Sequence, residues 1–300
     1  MNNKELIVLV GPTAVGKTSE AIRLANFLKT DIISADSRQF YHELNIGVAR
    51  PTTEELSLAK HHFIGHKSIQ DSYNVGSYEK DALQKIEELF KKYDKLVLTG
   101  GSGMYVDVVC NGIDTLPDVN NDIREELNRI FKEKGITPLQ EELKEKDPEY
   151  YSIVDTSNHI RLIRALEIIR QSGKTFSSLR TNTKQERPFK IKKFALQRDR
   201  KELIDRINLR VDIMINEGLI EEAREVYPFK GLSALNTVGY KELFNYFDGK
   251  ISLEQAIEDI KTNTRRYAKR QMTWFRKDKE IIWIDASKEI NWEGVLHENI

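Results

Sequence analysis

The chain of 300 residues contains a single cysteine, Cys110, so it can form neither an internal disulfide nor a zinc site built from cysteines. Cys110 ends the mostly apolar stretch 105–110, and this context favours a buried packing residue over a nucleophile. The sequence has no run of about eighteen apolar residues and no pattern typical of a cleaved leader. We therefore expect an intracellular, cytoplasmic protein that does not bind membranes.

The chain also lacks an excess of charge of either sign. It has 47 Lys and Arg against 47 Asp and Glu, which leaves a formal net charge of zero. Nucleic-acid binding therefore has no global electrostatic support, and any such surface must come from local clusters of basic residues. The length fits one large α/β domain, or a core domain that carries an insertion.

The most informative segment is a G-x-x-x-x-G-K-T phosphate loop near the amino end. It follows the apolar run 6–10 and precedes a helical pattern, and this order of strand, loop and helix is the context that the motif needs. Such a loop binds a di- or triphosphate, ATP among the candidates, through backbone N–H groups and a helix N-terminus. Lys17 supplies a positive charge and the Thr18 hydroxyl suits Mg²⁺. The loop residues are Gly11, Pro12, Thr13, Ala14, Val15, Gly16, Lys17 and Thr18.

Short apolar runs alternate with helical patterns in the first hundred residues. Strands are predicted at 6–10, 31–34 and 95–99, with a helix from about Ser77 between the last two. This alternation predicts an α/β fold with a parallel sheet core similar to phosphate-loop NTPases and helices on both faces. Gly16, Asp36 and Ser102 each follow a strand, so we expect them to converge on one crevice beyond the carboxyl ends of the strands.

The composition changes at about residue 117. Residues 118–149 carry ten acidic and six basic side chains, and helices are predicted at 120–134, 138–146 and 158–172. In the third helix, the spacing predicts burial of Ile160, Ile163, Leu166 and Ile169. We therefore assign residues 117–187 to an all-helical insertion, and residues 1–116 and 188–300 to the catalytic core. In the second half of the core, a strand is predicted at 191–196, long helices at 199–217 and 252–277, and a strand at 281–284.

The chemistry is not fixed by the phosphate loop alone. The strand 95–99 ends in Thr99 and Gly100 without an acidic residue, and no guanine-reading N-K-x-D sequence is present, which argues against GTPases and motor proteins. The acidic residue follows the neighbouring strand, as Asp36. Asp36 followed by a serine fits a turn or a helix start as well as a carboxylate that holds Mg²⁺ or accepts a proton.

Six segments together resemble the tRNA dimethylallyltransferases, also called isopentenyltransferases. The matches keep their order and span essentially the whole chain. The segments are the phosphate loop; Asp36 and Ser37; Gly100, Gly101, Ser102 and Tyr105; Arg161 to Glu167; Val238, Gly239, Tyr240 and Lys241; and Ala268 to Arg276.

This resemblance implies transfer of a dimethylallyl group from dimethylallyl diphosphate to N6 of the adenosine that lies 3′ of the tRNA anticodon. Asp36 is then the general base. Lys17, Mg²⁺ at Thr18 and a further cation, Arg210, stabilise the departing diphosphate. From its spacing alone, Arg210 in the pattern Arg206-x-x-x-Arg210 could equally be a surface residue of an amphipathic helix.

The resemblance also implies a set of tRNA-binding residues. They are Asp36, Ser37, Arg38, Gln39, Ser102, Arg124, Arg161, Arg164, Gly239, Tyr240 and Lys241. Ser102 stands where the family usually has threonine, and its hydroxyl can keep the contact. Ile160 departs from the family pattern, because a glutamine commonly precedes the arginine, and isoleucine cannot hydrogen-bond a base. Residues 261–279 add a local basic cluster of eight Lys and Arg with one acidic residue.

Other functions remain open from the residues themselves. A small-molecule kinase shares the phosphate loop and an acidic residue on the neighbouring strand. A prenyltransferase acting on free AMP or ADP, and an RNA-binding module controlled by a nucleotide, are further alternatives. A metal site at His61 and His62 is disfavoured, because adjacent side chains point apart on regular structure. No oligomeric partner is implied, and we expect a monomer.

Overall fold

The computed structural model describes residues 4–114, 116–181 and 183–297. It divides into two units, which we call the core unit and the helical unit. The core unit comprises Met1–Asn111 and Arg187–Ile300, and the helical unit comprises Gly112–Glu186. The sequence predicted the insertion at 117–187, so the two descriptions differ by five residues at one end and one at the other.

In the described part of the core unit, six parallel strands form one sheet, in the order β3-β2-β4-β1-β5-β6. The predicted α/β class is confirmed. The strands are β1 Glu5–Val10, β2 Ile32–Ser34, β3 His61–His62, β4 Lys95–Gly100, β5 Lys190–Gln197 and β6 Ile282–Asp285.

Strand β1 lies in the middle of the sheet, paired with β4 on one side and β5 on the other. Residues 6–10 are an unbroken apolar run because both faces of a parallel sheet are covered, and all five side chains are buried. Val10 is in register with Gly100 of β4 and Ala195 of β5. The loop after β1 therefore leaves the sheet between the ends of two other strands.

Helices pack around this sheet and extend the core unit beyond it. The first four are α1 Lys17–Leu28, α2 Thr53–Leu58, α3 Val75–Phe90 and α4 Gly103–Asn111. After β5 follow α10 Arg200–Asn216, α11 Leu219–Val226, α12 Tyr240–Phe247, α13 Leu253–Phe275 and α14 Trp292–His297, with 3₁₀ turns at Tyr227–Phe229 and Ser233–Leu235. No helix in the described ranges combines the length and apolar character that a membrane span requires.

The helical unit has its own apolar core. Its helices are α5 Asn121–Lys134, α6 Thr137–Lys146, α7 Pro148–Ile153, α8 His159–Ser172 and α9 Phe176–Leu179. The predicted burial of Ile163, Leu166 and Ile169 is confirmed, but that of Ile160 is wrong, because its side chain is 64% exposed. Ile160 lies in the first turn of α8, and Leu162 occupies the buried position instead.

Glu167 is the one fully buried carboxylate of α8, at 0% exposure. Arg124 binds it through two hydrogen bonds of 2.7 and 2.6 Å, and Arg164 adds a third of 2.5 Å. Burial by itself would raise the pKa of Glu167, but the hydrogen bonds and charges of the two arginines outweigh it, so the pKa is lowered. The carboxylate thus joins α5 to α8 in its charged form.

We predict that Glu167→Ala destabilises the helical unit by about 1–3 kcal/mol, since it leaves two arginines without their buried partner. Hydrogen exchange of the α5 and α8 amides in the whole chain measures this. Because the folded-state pKa lies below the ordinary 4.5, the contribution of Glu167 is present above that pH and is lost as the pH falls through the folded-state value. The exposed Glu133→Ala on α5 is the control. Equal exchange in both variants would contradict the prediction.

Candidate active site

The phosphate loop, residues 11–18, joins β1 to α1 and contains three residues in left-handed backbone conformations. They are Gly11 (φ 149°), Ala14 (φ 63°) and Gly16 (φ 107°). At Gly11 a Cβ would also lie 2.8 Å from the carbonyl oxygen of Leu196, so a side chain is excluded by space as well as by conformation. Gly16 is the N-cap of α1 and brings no side-chain cap. The first N–H groups of α1 are therefore free to bind an anion.

Basic side chains hold the loop through its backbone carbonyls. Arg206 donates to the carbonyl oxygen of Ala14 at 2.8 Å, and Arg198 donates to that of Val15 at 2.9 Å. Lys17 donates to Pro12 at 2.8 Å. Because these carbonyls are satisfied by side chains around the loop, the peptide units are fixed in one orientation. The sequence did not identify Arg198 as a site residue, and Arg206 appeared only as part of a motif.

Arg210 of α10 reaches the same loop. Its Nη1 lies 3.5 Å from the hydroxyl oxygen of Thr13, and its charge acts on Lys17. Burial lowers the pKa of Arg210, and the charge of Arg206 adds to this effect. The structure thus brings Arg210 to the phosphate loop, as the family resemblance implied, rather than leaving it on an exposed helix face. The partly buried guanidinium supplies a second positive charge beside Lys17.

Lys17 and Asp36 interact electrostatically inside the site. Burial, with a contribution from Arg210, lowers the pKa of Lys17 to about 8, although the charge of Asp36 opposes this shift. Burial raises the pKa of Asp36, against the N–H groups of Arg38 and Gly101 and the charge of Lys17. Asp36 is therefore a stronger base than a solvated carboxylate. Asp36 also forms the turn that the Asp-Ser pair predicted, since its Oδ1 accepts the Arg38 N–H at 3.2 Å.

A small cleft of about 40 Å³ lies at the carboxyl ends of β1, β2 and β4. It brings together the phosphate loop, the carboxylate after β2 and the end of β4. Lys17, Thr18 and Asp36 all line it. Of the three residues expected to converge here, Asp36 lines the cleft, whereas Gly16 and Ser102 are not among its lining residues. The lining residues are Lys17, Thr18, Ser34, Asp36, Gln39, Pro51, His61, Thr99 and Gly100.

The residues after Asp36 are engaged inside the core unit. Ser102 accepts the Ser37 N–H at 3.1 Å, and the two hydroxyl oxygens are 3.0 Å apart. Arg38 donates to the carbonyl oxygens of residues 233 and 234, and the Gln39 amide donates to those of residues 48 and 49. The side chains expected to contact tRNA at 37–39 and 102 therefore also fix the loops around the cleft.

The segment Gly239, Tyr240 and Lys241 divides between the interior and the surface. Tyr240 is 0% exposed, and its hydroxyl donates to Glu222 at 2.6 Å. Glu222 in turn accepts the N–H groups of residues 45, 46 and 47. The Tyr240 side chain is therefore not available to RNA in this structure, whereas Lys241 is exposed.

Arg124, Arg161 and Arg164 all belong to the helical unit. Arg124 and Arg164 stay about half exposed although both bind Glu167, and Arg161 is exposed. All three can therefore present positive charge to solvent. The pairing of Arg124 with Glu167 was not visible from the sequence, because the two residues lie on different helices and are 43 residues apart.

His61 lines the cleft, a position that the sequence did not reveal. Its Nδ1 is hydrogen-bonded to the carbonyl oxygen of Ala59 at 2.8 Å, and burial lowers its pKa. His62 instead contacts Asp31 at 2.8 Å, so the neighbouring rings serve different partners. Within the described residues, no group of three or more His, Cys, Asp or Glu side chains is placed to hold a metal ion. Cys110 is buried, as expected.

The sheet and the loop at its edge define a phosphate-loop α/β protein. A family model described as IPP transferase matches residues 39–278. The chain is 56% identical over 280 residues to tRNA dimethylallyltransferase from Christiangramia forsetii, covering 93% of both. It is 50% identical over 292 residues to tRNA dimethylallyltransferase 1 from Phocaeicola vulgatus, covering 97% of both.

Solved structures agree with this result. The tRNA isopentenylpyrophosphate transferase from Bacillus halodurans has a TM-score of 0.71 at 36% identity, with 98% of this chain and 94% of that one covered. The corresponding enzyme from Staphylococcus epidermidis has a TM-score of 0.69 at 30% identity, with 98% and 97% covered. The chain belongs to the IPP transferase family, the tRNA dimethylallyltransferases.

We predict that the affinity for inorganic pyrophosphate falls as the pH rises above about 8, because Lys17 then loses its proton. The fall should approach about tenfold per pH unit. Lys17→Arg is the matched control, since its guanidinium stays protonated while pyrophosphate ionises identically in both experiments. Calorimetry between about pH 7 and pH 9.5 gives the two profiles. Parallel profiles for the two proteins would show that Lys17 does not titrate in this range.

Proposed function

We propose that this enzyme transfers the dimethylallyl group of dimethylallyl diphosphate to N6 of the adenosine 3′ of the anticodon in tRNA, and releases diphosphate. One observation carries the proposal: a base, Asp36, and a cationic residue of the phosphate loop, Lys17, line the same cleft. Transfer of a prenyl group needs both, because an anion must leave one reactant while a proton leaves the other. Since the proposed acceptor is tRNA, we place the reaction in the cytoplasm.

The loop suits the departing diphosphate. When the bond between C1 of the dimethylallyl group and oxygen breaks, the electron pair stays on the diphosphate and positive charge spreads over the allylic carbons. The N–H groups at the start of α1, Lys17 and Arg210 then stabilise the anion that forms. The N–H groups of the loop are oriented before the reaction, because Arg198 and Arg206 hold the carbonyl oxygens of Val15 and Ala14.

Asp36 suits the acceptor. The exocyclic amine of adenine is a weak nucleophile because its lone pair is delocalised into the ring. As N6 forms its bond to C1, the amine must lose a proton, and a carboxylate within hydrogen-bond reach can accept it. The raised pKa of Asp36, caused mainly by burial, makes this carboxylate a better proton acceptor.

Mg²⁺ is the proposed metal. Thr18 lines the cleft, and its hydroxyl is an oxygen donor of the kind that Mg²⁺ prefers. Mg²⁺ keeps several waters and takes further oxygens from phosphate groups, so a cluster of protein carboxylates is not required. When bound, the ion would neutralise negative charge on the diphosphate. Thr18 is the residue of this chain that we expect to hold it.

The partner is proposed to be the anticodon loop of tRNA. Its bases are already partly unpaired, which lowers the free energy needed to flip the target adenosine into the cleft. Helix α13 carries much of the basic segment 261–279, and Arg266, Lys269 and Arg270 on it are exposed. The arginines of the helical unit, among them the exposed Arg161, provide further contacts to phosphates.

We predict that Asp36→Asn lowers turnover by about a hundredfold or more, the range typical of losing a general base. Binding of pyrophosphate should change only a few fold, since the loop is intact. Mass spectrometry of nucleosides from tRNA incubated with enzyme and dimethylallyl diphosphate measures the product. Asp71→Asn, at an exposed aspartate, is the control.

The same assay, together with reactions that supply AMP or ADP in place of tRNA, or ATP, separates the alternatives. Turnover of Asp36→Asn close to that of the control would exclude Asp36 as the base. Prenylated AMP or ADP without prenylated tRNA would indicate a free-nucleotide prenyltransferase. ADP formed from ATP without any prenylated product would indicate a kinase.

The wild-type pH profile provides a further prediction. Because burial raises the pKa of Asp36, kcat/KM should fall on the acidic side at a higher pH than the ordinary carboxylate value of 3.8. The loss occurs as the pH falls through the raised pKa, where the base becomes protonated. An acidic limb at or below the ordinary value would contradict this assignment.

A further inference from the structure

The amide of Gln271 joins two backbone segments at the cleft. Gln271 lies on α13, and its side chain is 6% exposed. Its Oε1 accepts the N–H of Thr13 at 2.9 Å, and its Nε2 donates to the carbonyl oxygen of Gly101 at 2.8 Å. Since a backbone N–H can only donate and a carbonyl can only accept, these partners fix which end of the amide is oxygen.

The two partners belong to different halves of the site. Thr13 is part of the phosphate loop, beside Arg210. Gly101 is in the turn after β4, and its backbone N–H lies close enough to Asp36 to lower the pKa of that carboxyl. Gly101 therefore faces the carboxylate with its N–H and Gln271 with its carbonyl. By binding both Thr13 and Gly101, the Gln271 amide sets the distance between the phosphate loop and the Gly101 N–H beside Asp36.

The space around Gly101 fits the same arrangement. A Cβ there would lie 2.3 Å from Nε2 of Gln271 and 3.7 Å from Oδ2 of Asp36. A Cβ contact under about 3 Å requires something to move. Gly101 is not in the left-handed region, so glycine is needed here for close approach and not for conformation. The packing brings the Gln271 amide and the carboxylate against the same residue.

We propose that Gln271 is a positioning residue for the transfer reaction, which holds Gly101 against Asp36 at a fixed distance from the phosphate loop. The inference rests on the proposed function, because it matters only if diphosphate departure and proton removal occur together. Productive geometry in such a step tolerates displacements of only about 0.5 Å. Gln271 acts through Thr13 and Gly101 and does not itself touch the reacting atoms.

The test uses two substitutions in the full-length enzyme with tRNA and dimethylallyl diphosphate. Gln271→Met has similar volume but makes neither hydrogen bond. It should lower kcat about tenfold or more, while the Kd for inorganic pyrophosphate, measured by calorimetry, stays within about threefold. Gln255→Met on the exposed side of the same helix is the matched control and should keep wild-type kcat.

Gln271→Glu supplies a pH signature that a purely structural role would not give. The new carboxyl group can donate to the Gly101 oxygen only when protonated, and as a carboxylate it repels that oxygen. Activity relative to wild type should therefore be lowest at high pH and recover in part as the pH falls. Gln255→Glu should show the wild-type profile. A ratio of Gln271→Glu activity to wild-type activity that stays constant across the pH range would contradict the proposal.

Gly101→Ala provides an independent measurement, because its Cβ displaces the same amide. If both residues act through one contact, the kcat of the double variant Gly101→Ala/Gln271→Met is no lower than that of the less active single variant. Additive losses would overturn the proposal, as would wild-type kcat in Gln271→Met, or a kcat loss matched by an equal loss of pyrophosphate affinity. Wild-type enzyme that prenylates no tRNA would refute the proposed function, whereas active wild type with active Gln271 variants refutes only the positioning role.

Discussion

The site depends on the orientation of the peptide units in the phosphate loop. An anion can be held by backbone N–H groups only if the carbonyls of the same peptides find partners elsewhere. Here Arg206 and Arg198 donate hydrogen bonds to the carbonyl oxygens of Ala14 and Val15. The side-chain oxygen of Gln271 accepts the N–H of Thr13. The central strand β1, buried at residues 6–10, anchors one end of the loop, and α1 supplies its N-terminus at the other.

Burial shifts the pKa values of the charged side chains that lie beside this loop. It moves the pKa of Lys17 down to about 8 and that of Asp36 up, so that each group becomes easier to neutralise than in water. Their mutual attraction opposes both shifts. Such a site binds an anion best below the pKa of Lys17 and accepts a proton best above the pKa of Asp36. Arg210, which keeps its proton, maintains positive charge at the loop even when Lys17 loses its own.

Much of the fold follows from local patterns, but the supports of the site do not. The strand, loop and helix around 11–18 and the long helix α13 were predicted because their signals lie in continuous stretches of sequence. The bridge from Gln271 to Thr13 spans 258 residues, and the contact of Arg206 with Ala14 spans 192. No periodicity reveals such pairs. Helical spacing likewise could not show that Ile160 faces solvent, or that Tyr240 is held inside by Glu222. Short elements such as α2, α12 and β3 carry too few residues for a pattern.

The most direct measurement is a crystal structure of the enzyme with inorganic pyrophosphate. The expected result is an anion bound by the N–H groups at the start of α1, with Lys17 Nζ moved from the Pro12 carbonyl onto a phosphate oxygen. Arg198 and Arg206 should keep their contacts to the loop. An anion bound away from residues 11–18, with Lys17 still on Pro12, would contradict the view that the loop is a preformed cradle for the leaving group.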